Sequence, residues 1–246
     1  MTGAALVTGG AKRIGAALVR ALAARGKPVA IHYNSSGDAA EALAREITEA
    51  GGKAVALQGD LLDPQPDLIA RAAEALGPLD LLVNNASIFE YDRIGTVTPE
   101  SWDRHLGSNL RAPLMLTQDF AAQAGAGSNI INIIDQRVRK LTPEFMTYTL
   151  AKSALWTLTQ TAAQGLAPKI RVNAIGPGPT LQGARQSKDH FDQQQAATIL
   201  GIGSDPEGIV RAMEFLIDSP SVTGQLICVD GGQHLAWKTP DILGVE

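Results

Sequence analysis

The chain has 246 residues, a formal net charge of −4 and 45% hydrophobic residues. This length suits one large α/β domain or two small ones, and the weak acidity without a basic run argues against nucleic acid or an anionic membrane as a partner. The single cysteine, Cys228, excludes a disulfide within the chain, and without a signal sequence or a membrane-spanning apolar run we expect a cytoplasmic protein.

Short apolar segments typical of buried strands alternate with longer segments of helical periodicity. The predicted strands are Ala4–Thr8, Pro28–Tyr33, Lys53–Gly59, Leu79–Asn84, Asn129–Ile134, Ile170–Ile175 and Gln225–Val229. The predicted helices are Ile14–Arg25, Ala39–Ala50, Asp67–Leu76, Trp102–Ala122, Phe145–Gly165 and Pro206–Ile217. The stretch Gly176–Gly203, rich in Gly, Pro and Gln, is expected to be an excursion without regular structure.

This alternation predicts a parallel sheet with helices on both faces. No repeat or long linker divides the chain, so we expect one doubly wound α/β domain of the Rossmann type over residues 1–246, with seven parallel strands and a substrate loop at about 177–203. Ligands of such folds bind beyond the carboxyl ends of the strands, and the loops at those ends therefore carry the functional interpretation.

The loop between the first strand and the first helix is rich in glycine, with Gly9, Gly10 and Gly15 around the basic pair Lys12 and Arg13. Glycine lets the backbone approach a pyrophosphate, whose charge a helix N-terminus attracts. The spacing does not match G-x-G-x-x-G, and glycines can also serve the turn geometry alone. The position at the first strand–helix turn favours nucleotide binding.

The second strand ends in His32-Tyr33-Asn34-Ser35, without the acidic residue that a free ribose 2′-hydroxyl would require. Hydroxyls and amides here, with basic residues in the neighbouring loop, favour a 2′-phosphate and hence NADP(H). The alternative is an ordinary solvated turn. Asp60, after the third strand, could bind the adenine amino group or cap a turn.

Tyr148 and Lys152 are four residues apart and share one face of a predicted helix. The pKa of a free tyrosine is about 10, and a neighbouring ammonium group favours the phenolate. Asp135, thirteen residues before the tyrosine, is ionised and accepts hydrogen bonds without donating any. It therefore suits a substrate that offers N–H donors, and it opposes Lys152 by raising the pKa of the phenol.

Five motifs resemble those of the short-chain dehydrogenase/reductase family in order and spacing. They are Thr8-Gly9…Gly15, Asn84-Asn85-Ala86, Asn109, Tyr148-x-x-x-Lys152 and Asn173…Pro177-Gly178. Within that family the chain resembles the pteridine reductases, including the dihydromonapterin reductases. The residues that carry this finer resemblance are Arg13, the turn His32–Ser35, Ser87 followed by Phe89, and Asp135.

The resemblance implies NADP(H)-dependent reduction of a dihydropterin by a homo-oligomer, either a tetramer or a dimer. It implies as catalytic residues Tyr148, Lys152, Asp135 and Asn109, the last holding a water that connects Lys152 to solvent. The implied cofactor-binding residues are Gly9, Lys12, Arg13, Ile14, Gly15, His32, Tyr33, Asn34, Ser35, Asp60, Leu61, Asn85, Ala86, Ser87, Pro177 and Gly178. The implied substrate-binding residues are Arg13, Ser87, Phe89, Asp135 and Tyr148.

Several alternatives stay open at this point. The substrate could be another small carbonyl or imine, or the protein could be an inactive NADP-binding sensor or assembly subunit. Phe89 could cap the core and Asp135 could cap a turn, whereas Gln182 and Arg185 could touch the substrate. The four histidines lack metal-ligand spacing, and no metal is expected.

Overall fold

Seven parallel strands form one sheet in the order β3-β2-β1-β4-β5-β6-β7. The computed structural model describes residues 3–63, 67–183 and 186–238, so Arg185 and the C-terminal residues 239–246 lie outside the described residues. The strands are Ala4–Val7 (β1), Val29–Tyr33 (β2), Ala54–Gln58 (β3), Leu79–Asn84 (β4), Ser128–Ile133 (β5), Ile170–Pro177 (β6) and Leu226–Val229 (β7). This sheet confirms the predicted fold class.

Helices connect the strands and cover both faces of the sheet. They are Arg13–Ala24 (α1), Gly37–Glu49 (α2), Leu68–Leu76 (α3), Pro99–Leu106 (α4), Ala112–Gln123 (α5), Met146–Leu166 (α6), Lys188–Ala196 (α7) and Pro206–Asp218 (α8). In the described part of the chain, no helix is both long and apolar enough to cross a membrane.

The core consists of two apolar layers separated by the sheet. On one face, α1, α2 and α8 pack their buried Leu, Ile and Val side chains against the strands. On the other face, α3 and α5 pack buried apolar side chains against the strands, with Phe120 fully buried, and α6 contributes Ala163. Strands covered on both faces are mainly apolar, which explains why they appear in the sequence as short apolar runs.

The strand order reverses between β1 and β4, since β2 and β3 lie on one side of β1 and β4 to β7 lie on the other. In open parallel sheets, the loops that leave two such strands diverge to opposite faces and open a crevice. The glycine-rich loop follows β1, and Asn85 follows β4. The fold therefore places both predicted nucleotide-binding loops at one crevice.

The predicted continuous helix Trp102–Ala122 is wrong in detail. The segment begins earlier, at Pro99, and a π-helical segment, Gly107–Arg111, separates α4 from α5. Pro113 has no N–H group and cannot donate to the carbonyl of Asn109, which would be its acceptor in an α-helix. This missing donor is a physical reason for the wider turn at Asn109.

The expectation of an irregular excursion over 176–203 is also wrong in part. Strand β6 continues to Pro177, and α7 spans Lys188–Ala196 within the predicted loop. This helix begins at a Ser187 side chain that accepts from the His190 N–H, but none of its residues is buried. It has no apolar stripe, so hydrophobic periodicity could not reveal it.

The two leucines of α5 provide a matched test of this packing. Leu116 is fully buried, whereas Leu114 is 44% exposed. We expect Leu116→Ala to lower the free energy of unfolding by about 2–5 kcal/mol, because it leaves a cavity in the core. Leu114→Ala should change it by less than about 1 kcal/mol. Equal losses in urea denaturation would contradict the assigned packing.

Candidate active site

A cavity of about 480 Å³ lies at the crevice, beyond the ends of β1 to β4. Most of the predicted cofactor-binding residues line it: Gly9, Lys12, Arg13, Ile14, Gly15, His32, Asn34, Asp60, Leu61, Asn85, Ala86 and Ser87. Tyr33 and Ser35 are not among the lining residues. The cavity also has Leu62, Ile88, Arg104 and Ser108 in its wall, which sequence analysis missed.

The glycine-rich loop lies too close to its neighbours for side chains at two positions. A Cβ atom at Gly15 would stand 2.1 Å from the Gly9 carbonyl oxygen and 2.7 Å from Nδ2 of Asn85. Gly9 has a φ angle of +60°, which disfavours L side chains. Helix α1 begins beside this loop, and its N-cap Lys12 makes no side-chain capping bond. The free N–H groups of such a helix start fit a phosphate.

The end of β2 fits the 2′-phosphate side of a dinucleotide. Asn34 and Lys12 line the same cavity, and no acidic side chain stands at the end of β2. Asp60, the acidic residue of the wall, accepts a hydrogen bond from the Leu62 N–H at 2.9 Å. Asp60 thus caps a turn, and because it also borders the cavity, its binding of the adenine amino group stays a prediction.

His32 has a supporting place in this cavity. The residue is 2% exposed; its Nδ1 accepts from the Gly9 N–H at 3.0 Å, and its Nε2 lies 3.1 Å from the Gly59 carbonyl oxygen. Both ring nitrogens are thus bonded to the backbone of neighbouring loops. The role of His32 in binding the cofactor stays a prediction, and its hydrogen bond from Gly9 shows that the side chain also supports the glycine-rich loop.

Arg13 joins the cofactor loop to the predicted substrate loop. Its guanidinium donates to the carbonyl oxygens of Leu181 and Gln182, each at 3.0 Å. The residue also has a positive φ angle of 54°, which is unusual for a side chain with a Cβ atom. Gln182 therefore contacts Arg13 through its backbone, and ligands that bind Arg13 must compete with these carbonyls.

A second cavity of about 290 Å³ adjoins the first, and Arg13, Ile14, Asn85 and Ser87 line both. Its wall contains the other predicted site residues Phe89, Asp135, Tyr148, Lys152, Pro177 and Gly178. It also contains residues that sequence analysis missed, among them Gln136, Arg137, Leu181, Phe191, Gln194 and Gln233. Phe191 and Gln194 belong to α7, whose lack of a periodic signal explains the omission.

Tyr148 and Asp135 form a direct hydrogen bond in this second cavity. The Tyr148 hydroxyl donates to Oδ2 of Asp135 at 2.9 Å, while Oδ1 of Asp135 accepts from the Arg137 N–H at 2.7 Å. Asp135 is therefore a turn cap and a partner of the tyrosine at once. Lys152 is 2% exposed, and its Nζ donates to the Ile133 carbonyl oxygen at 2.9 Å.

The proton affinities of these groups follow from burial and from the carboxylate. Burial and the charge and hydrogen bond of Asp135 hold the pKa of Tyr148 well above its ordinary value near 10, although Arg137 and Ser87 act in the opposite direction. Burial also raises the pKa of Asp135 and lowers the pKa of Lys152 to about 8. Asp135 therefore raises the pKa of the phenol, as expected, and burial acts in the same direction.

Asn109 lies in the π-helical segment and lines neither cavity. Its side-chain Oδ1 accepts from the Ile88 N–H at 2.8 Å, and its Nδ2 donates to the Ile88 carbonyl oxygen at 2.8 Å. The side chain thus fixes the loop after β4. The backbone carbonyl of Asn109 receives no α-helical hydrogen bond, because Pro113 has no N–H group. This carbonyl, and not the side chain, is therefore the group that could bind the predicted water.

A cluster of aromatic rings includes Phe89 and Tyr148 of the second cavity. Phe89 stacks on Phe145 with centroids 4.3 Å apart and meets Tyr148 edge-on at 4.7 Å. The Arg137 guanidinium lies 5.2 Å from the centroid of Phe145. Phe89 is 46% exposed, so it does not cap the core, and its ring borders the space in which a flat substrate would lie.

A buried polar cluster holds the start of α6, and sequence analysis did not identify it. Asp92 accepts from the Thr147 N–H at 3.0 Å and from the Thr147 hydroxyl. It also accepts from the Ser101 hydroxyl at 3.1 Å, and its backbone carbonyl accepts from the Met146 N–H at 3.2 Å. Phe145, the N-cap residue, offers no side-chain cap, so Asp92 supplies one directly beside Tyr148.

His105 completes this cluster. It is fully buried, its Nε2 accepts from the Glu90 N–H at 3.1 Å, and its Nδ1 lies 2.7 Å from the Thr147 hydroxyl and 3.0 Å from the Ser101 carbonyl oxygen. Nδ1 therefore carries the proton. The ring also meets Tyr148 edge-on at 6.2 Å. In the described part of the chain, no group of three or more His, Cys, Asp or Glu residues is placed to hold a metal ion.

This crevice and the Tyr148–Lys152 helix define an oxidoreductase, and the chain belongs to the short-chain dehydrogenase/reductase family. A family model described as enoyl-(acyl carrier protein) reductase matches residues 9–234. An uncharacterised oxidoreductase of Methylorubrum extorquens is 36% identical over 238 residues, which cover 93% of this chain and 96% of the relative.

Two solved structures are similar over nearly the whole chain. One is FolM alternative dihydrofolate reductase 1 from Brucella canis complexed with NADP, which is 47% identical, has a TM-score of 0.95, and matches over 98% of this chain and 97% of that chain. The other is the protein of the same name from Brucella suis in complex with NADP, also 47% identical, with a TM-score of 0.94 and 98% coverage of each chain.

The Asp92 cluster gives a test of how α6 is held. We expect Asp92→Ala to lower the free energy of unfolding by about 2 kcal/mol or more, because it removes the cap and leaves buried donors without an acceptor. Asp103, an exposed residue on α4, provides the control, and Asp103→Ala should cost less than about 0.5 kcal/mol. Similar losses in thermal denaturation of the two variants would contradict the capping role.

Proposed function

We propose that the protein is an NADPH-dependent reductase that converts a dihydropterin of the dihydromonapterin or dihydrobiopterin kind to the tetrahydropterin. The single observation that carries the proposal is the hydrogen bond from the Tyr148 hydroxyl to Asp135 within the second cavity. The similarity to structures called alternative dihydrofolate reductase supports the same chemical class.

The glycine-rich loop, the start of α1 and the end of β2 would hold the dinucleotide. Gly9 and Gly15 give the backbone close access, and the Lys12 cation and Asn34 suit the 2′-phosphate. Pro177 and Gly178 line the second cavity and would border the nicotinamide end. When bound, NADPH supplies the hydride.

Asp135 sets the kind of substrate that the second cavity accepts. Its carboxylate accepts hydrogen bonds and cannot donate one to a ketone oxygen. A pterin offers an amino group and ring N–H donors, which match this acceptor. Phe89 offers a stacking face for the flat ring, and Arg13 offers a fork of donors to an oxo group.

Tyr148 is the proton donor in this proposal. Like any tyrosine whose pKa is ordinary or raised, it carries its proton at neutral pH, and it can give that proton to the strongly basic nitrogen that becomes negative when a C=N bond is reduced. The Asp135 carboxylate orients that proton through the 2.9 Å hydrogen bond. Lys152, buried beside the tyrosine, supplies the positive charge that offsets the phenolate left behind.

The test follows NADPH oxidation with dihydromonapterin and dihydrobiopterin beside a panel of simple ketones. We expect pterin turnover in the unaltered protein, and a loss of about 100-fold or more in Tyr148→Phe, which still binds NADPH but has no proton to give. Asp135→Asn preserves the shape without the charge and should lose at least about tenfold in turnover. Asp103→Asn removes an exposed carboxylate and should leave turnover unchanged.

Turnover of ketones without turnover of pterins would contradict the proposed substrate and would indicate an ordinary carbonyl reductase. NADPH binding without turnover of any substrate on the panel would contradict the proposed reaction and favour a binding protein. Asp135→Ser distinguishes a pterin reductase from a carbonyl reductase, because serine introduces the hydroxyl donor that a ketone oxygen requires. It should lower pterin turnover in a pterin reductase.

The lowered pKa of Lys152 leads to an expected pH dependence. Lys152 loses its charge as the pH rises through about 8, so kcat/KM for the pterin should be constant near pH 7 and fall on the alkaline side. In Lys152→Arg the charge persists, because the pKa of arginine is above about 12, and this alkaline fall should disappear even if the rate is lower. An identical alkaline fall in both proteins would exclude Lys152 as its cause.

A further inference from the structure

His32, on β2, connects two of the loops that build the crevice. Its Nδ1 accepts from the Gly9 N–H at 3.0 Å, and its Nε2 lies 3.1 Å from the Gly59 carbonyl oxygen. A backbone N–H can only donate, and a carbonyl oxygen can only accept. The imidazole must therefore be neutral, with its proton on Nε2 and the lone pair of Nδ1 directed at Gly9.

Backbone hydrogen bonds join the same two loops to β2. The Gly10 N–H donates to the His32 carbonyl oxygen at 2.9 Å, and the Gly59 N–H donates to the Tyr33 carbonyl oxygen at 3.0 Å. The bond from Gly9 is different, because a side chain accepts it at the residue with φ near +60°. This N–H belongs to the loop in which the Gly9 carbonyl oxygen would stand only 2.1 Å from a Cβ atom at Gly15.

We propose that His32 is a positioning residue for the dinucleotide: by accepting the Gly9 hydrogen bond it holds the glycine-rich loop in its binding conformation, without contributing a bond of its own to the cofactor. The inference rests on the proposed NADP(H) binding and is independent of the substrate. Burial lowers the pKa of His32, opposed by the Gly59 hydrogen bond and by the nearby Asp60, while Arg71 acts in the same direction as burial. The Nδ1 lone pair is thus available at neutral pH.

Substitution of His32 by Asn or by Gln distinguishes the effects of its two hydrogen bonds, because each amide side chain can replace only one of them. In His32→Asn, the side-chain oxygen stands near the position of Nδ1 and can accept from Gly9, but nothing reaches Gly59. In His32→Gln, the amide nitrogen stands near the position of Nε2 and can donate to Gly59, but the acceptor for Gly9 is lost. His32→Leu removes both hydrogen bonds and places an apolar side chain at this buried position.

The measurement is the Kd of NADPH by fluorescence titration, together with kcat at saturating NADPH. We expect His32→Asn to bind within about twofold of the unaltered protein, and His32→Gln and His32→Leu to bind about tenfold more weakly, as for a buried donor left without its acceptor. At saturating NADPH the kcat should be similar in all four proteins. A role confined to stability would instead change the melting temperature in all three variants and leave the Kd values equal.

Equal Kd values for Asn and Gln, or a fall in kcat at saturating NADPH with an unchanged Kd, would overturn the inference for His32 alone. Absence of NADPH binding by the unaltered protein would overturn the proposed function as well. If His32→Gln does not fold, ¹⁵N NMR of the histidine rings in the unaltered protein provides the second test. With four histidines in the chain, the resonances absent in His32→Asn identify His32, and a proton on Nδ1 rather than Nε2 at pH 7 would contradict the inference.

Discussion

The Tyr148 hydroxyl donates a hydrogen bond to Asp135 in a part of the cavity that water reaches poorly, and this hydrogen bond organises the chemistry of the site. A carboxylate at this distance stabilises the protonated phenol, whereas a lysine alone would favour the phenolate. The site therefore keeps the Tyr148 phenol protonated at neutral pH. The Asp135 carboxylate is the hydrogen-bond acceptor that it presents to the substrate. Both properties suit reduction of a C=N bond in a molecule with N–H donors.

The hydrogen bond depends on a framework of buried polar contacts at the carboxyl edge of the sheet. The Thr8 hydroxyl accepts from the Asn85 and Ala86 N–H groups at 2.9 and 3.0 Å, which joins the loops after β1 and β4. Asn109 holds Ile88, and Asp92 holds the start of α6. Because buried donors without partners are costly, each contact limits how far a loop can move. The catalytic geometry thus rests on backbone groups as much as on the reacting side chains.

Much of this arrangement could be predicted from the sequence, since strands buried on both faces have short apolar runs and most helices have an apolar stripe. Asp135 was expected beside Tyr148 because of the family resemblance; it lies just beyond the end of β5, and Tyr148 shares a helical face with Lys152. The polar helix α7 carries no such periodicity. The π-helical turn depends on a single missing donor at Pro113, a signal that is visible in the sequence but does not by itself predict the turn.

Contacts between distant segments could not be predicted in the same way. Asp92 and Thr147 are 55 residues apart in the chain, and neither belongs to a motif. The histidine at the end of β2 was predicted to touch the cofactor, but its contacts with Gly9 and Gly59 appear only when three strands are side by side. The net pKa of Tyr148 likewise depends on how much solvent the fold removes, which residue spacing does not reveal.

The proton affinity of Tyr148 is the quantity that tests this account most directly. The chain has three tyrosines, so ¹³Cζ NMR of labelled tyrosine, with Tyr148→Phe for assignment, can follow its titration. We expect the pKa of Tyr148 to lie above the ordinary value near 10 and to fall when Asp135 is replaced by Asn. A pKa below that value, or one unchanged by Asp135→Asn, would contradict the central role of the carboxylate.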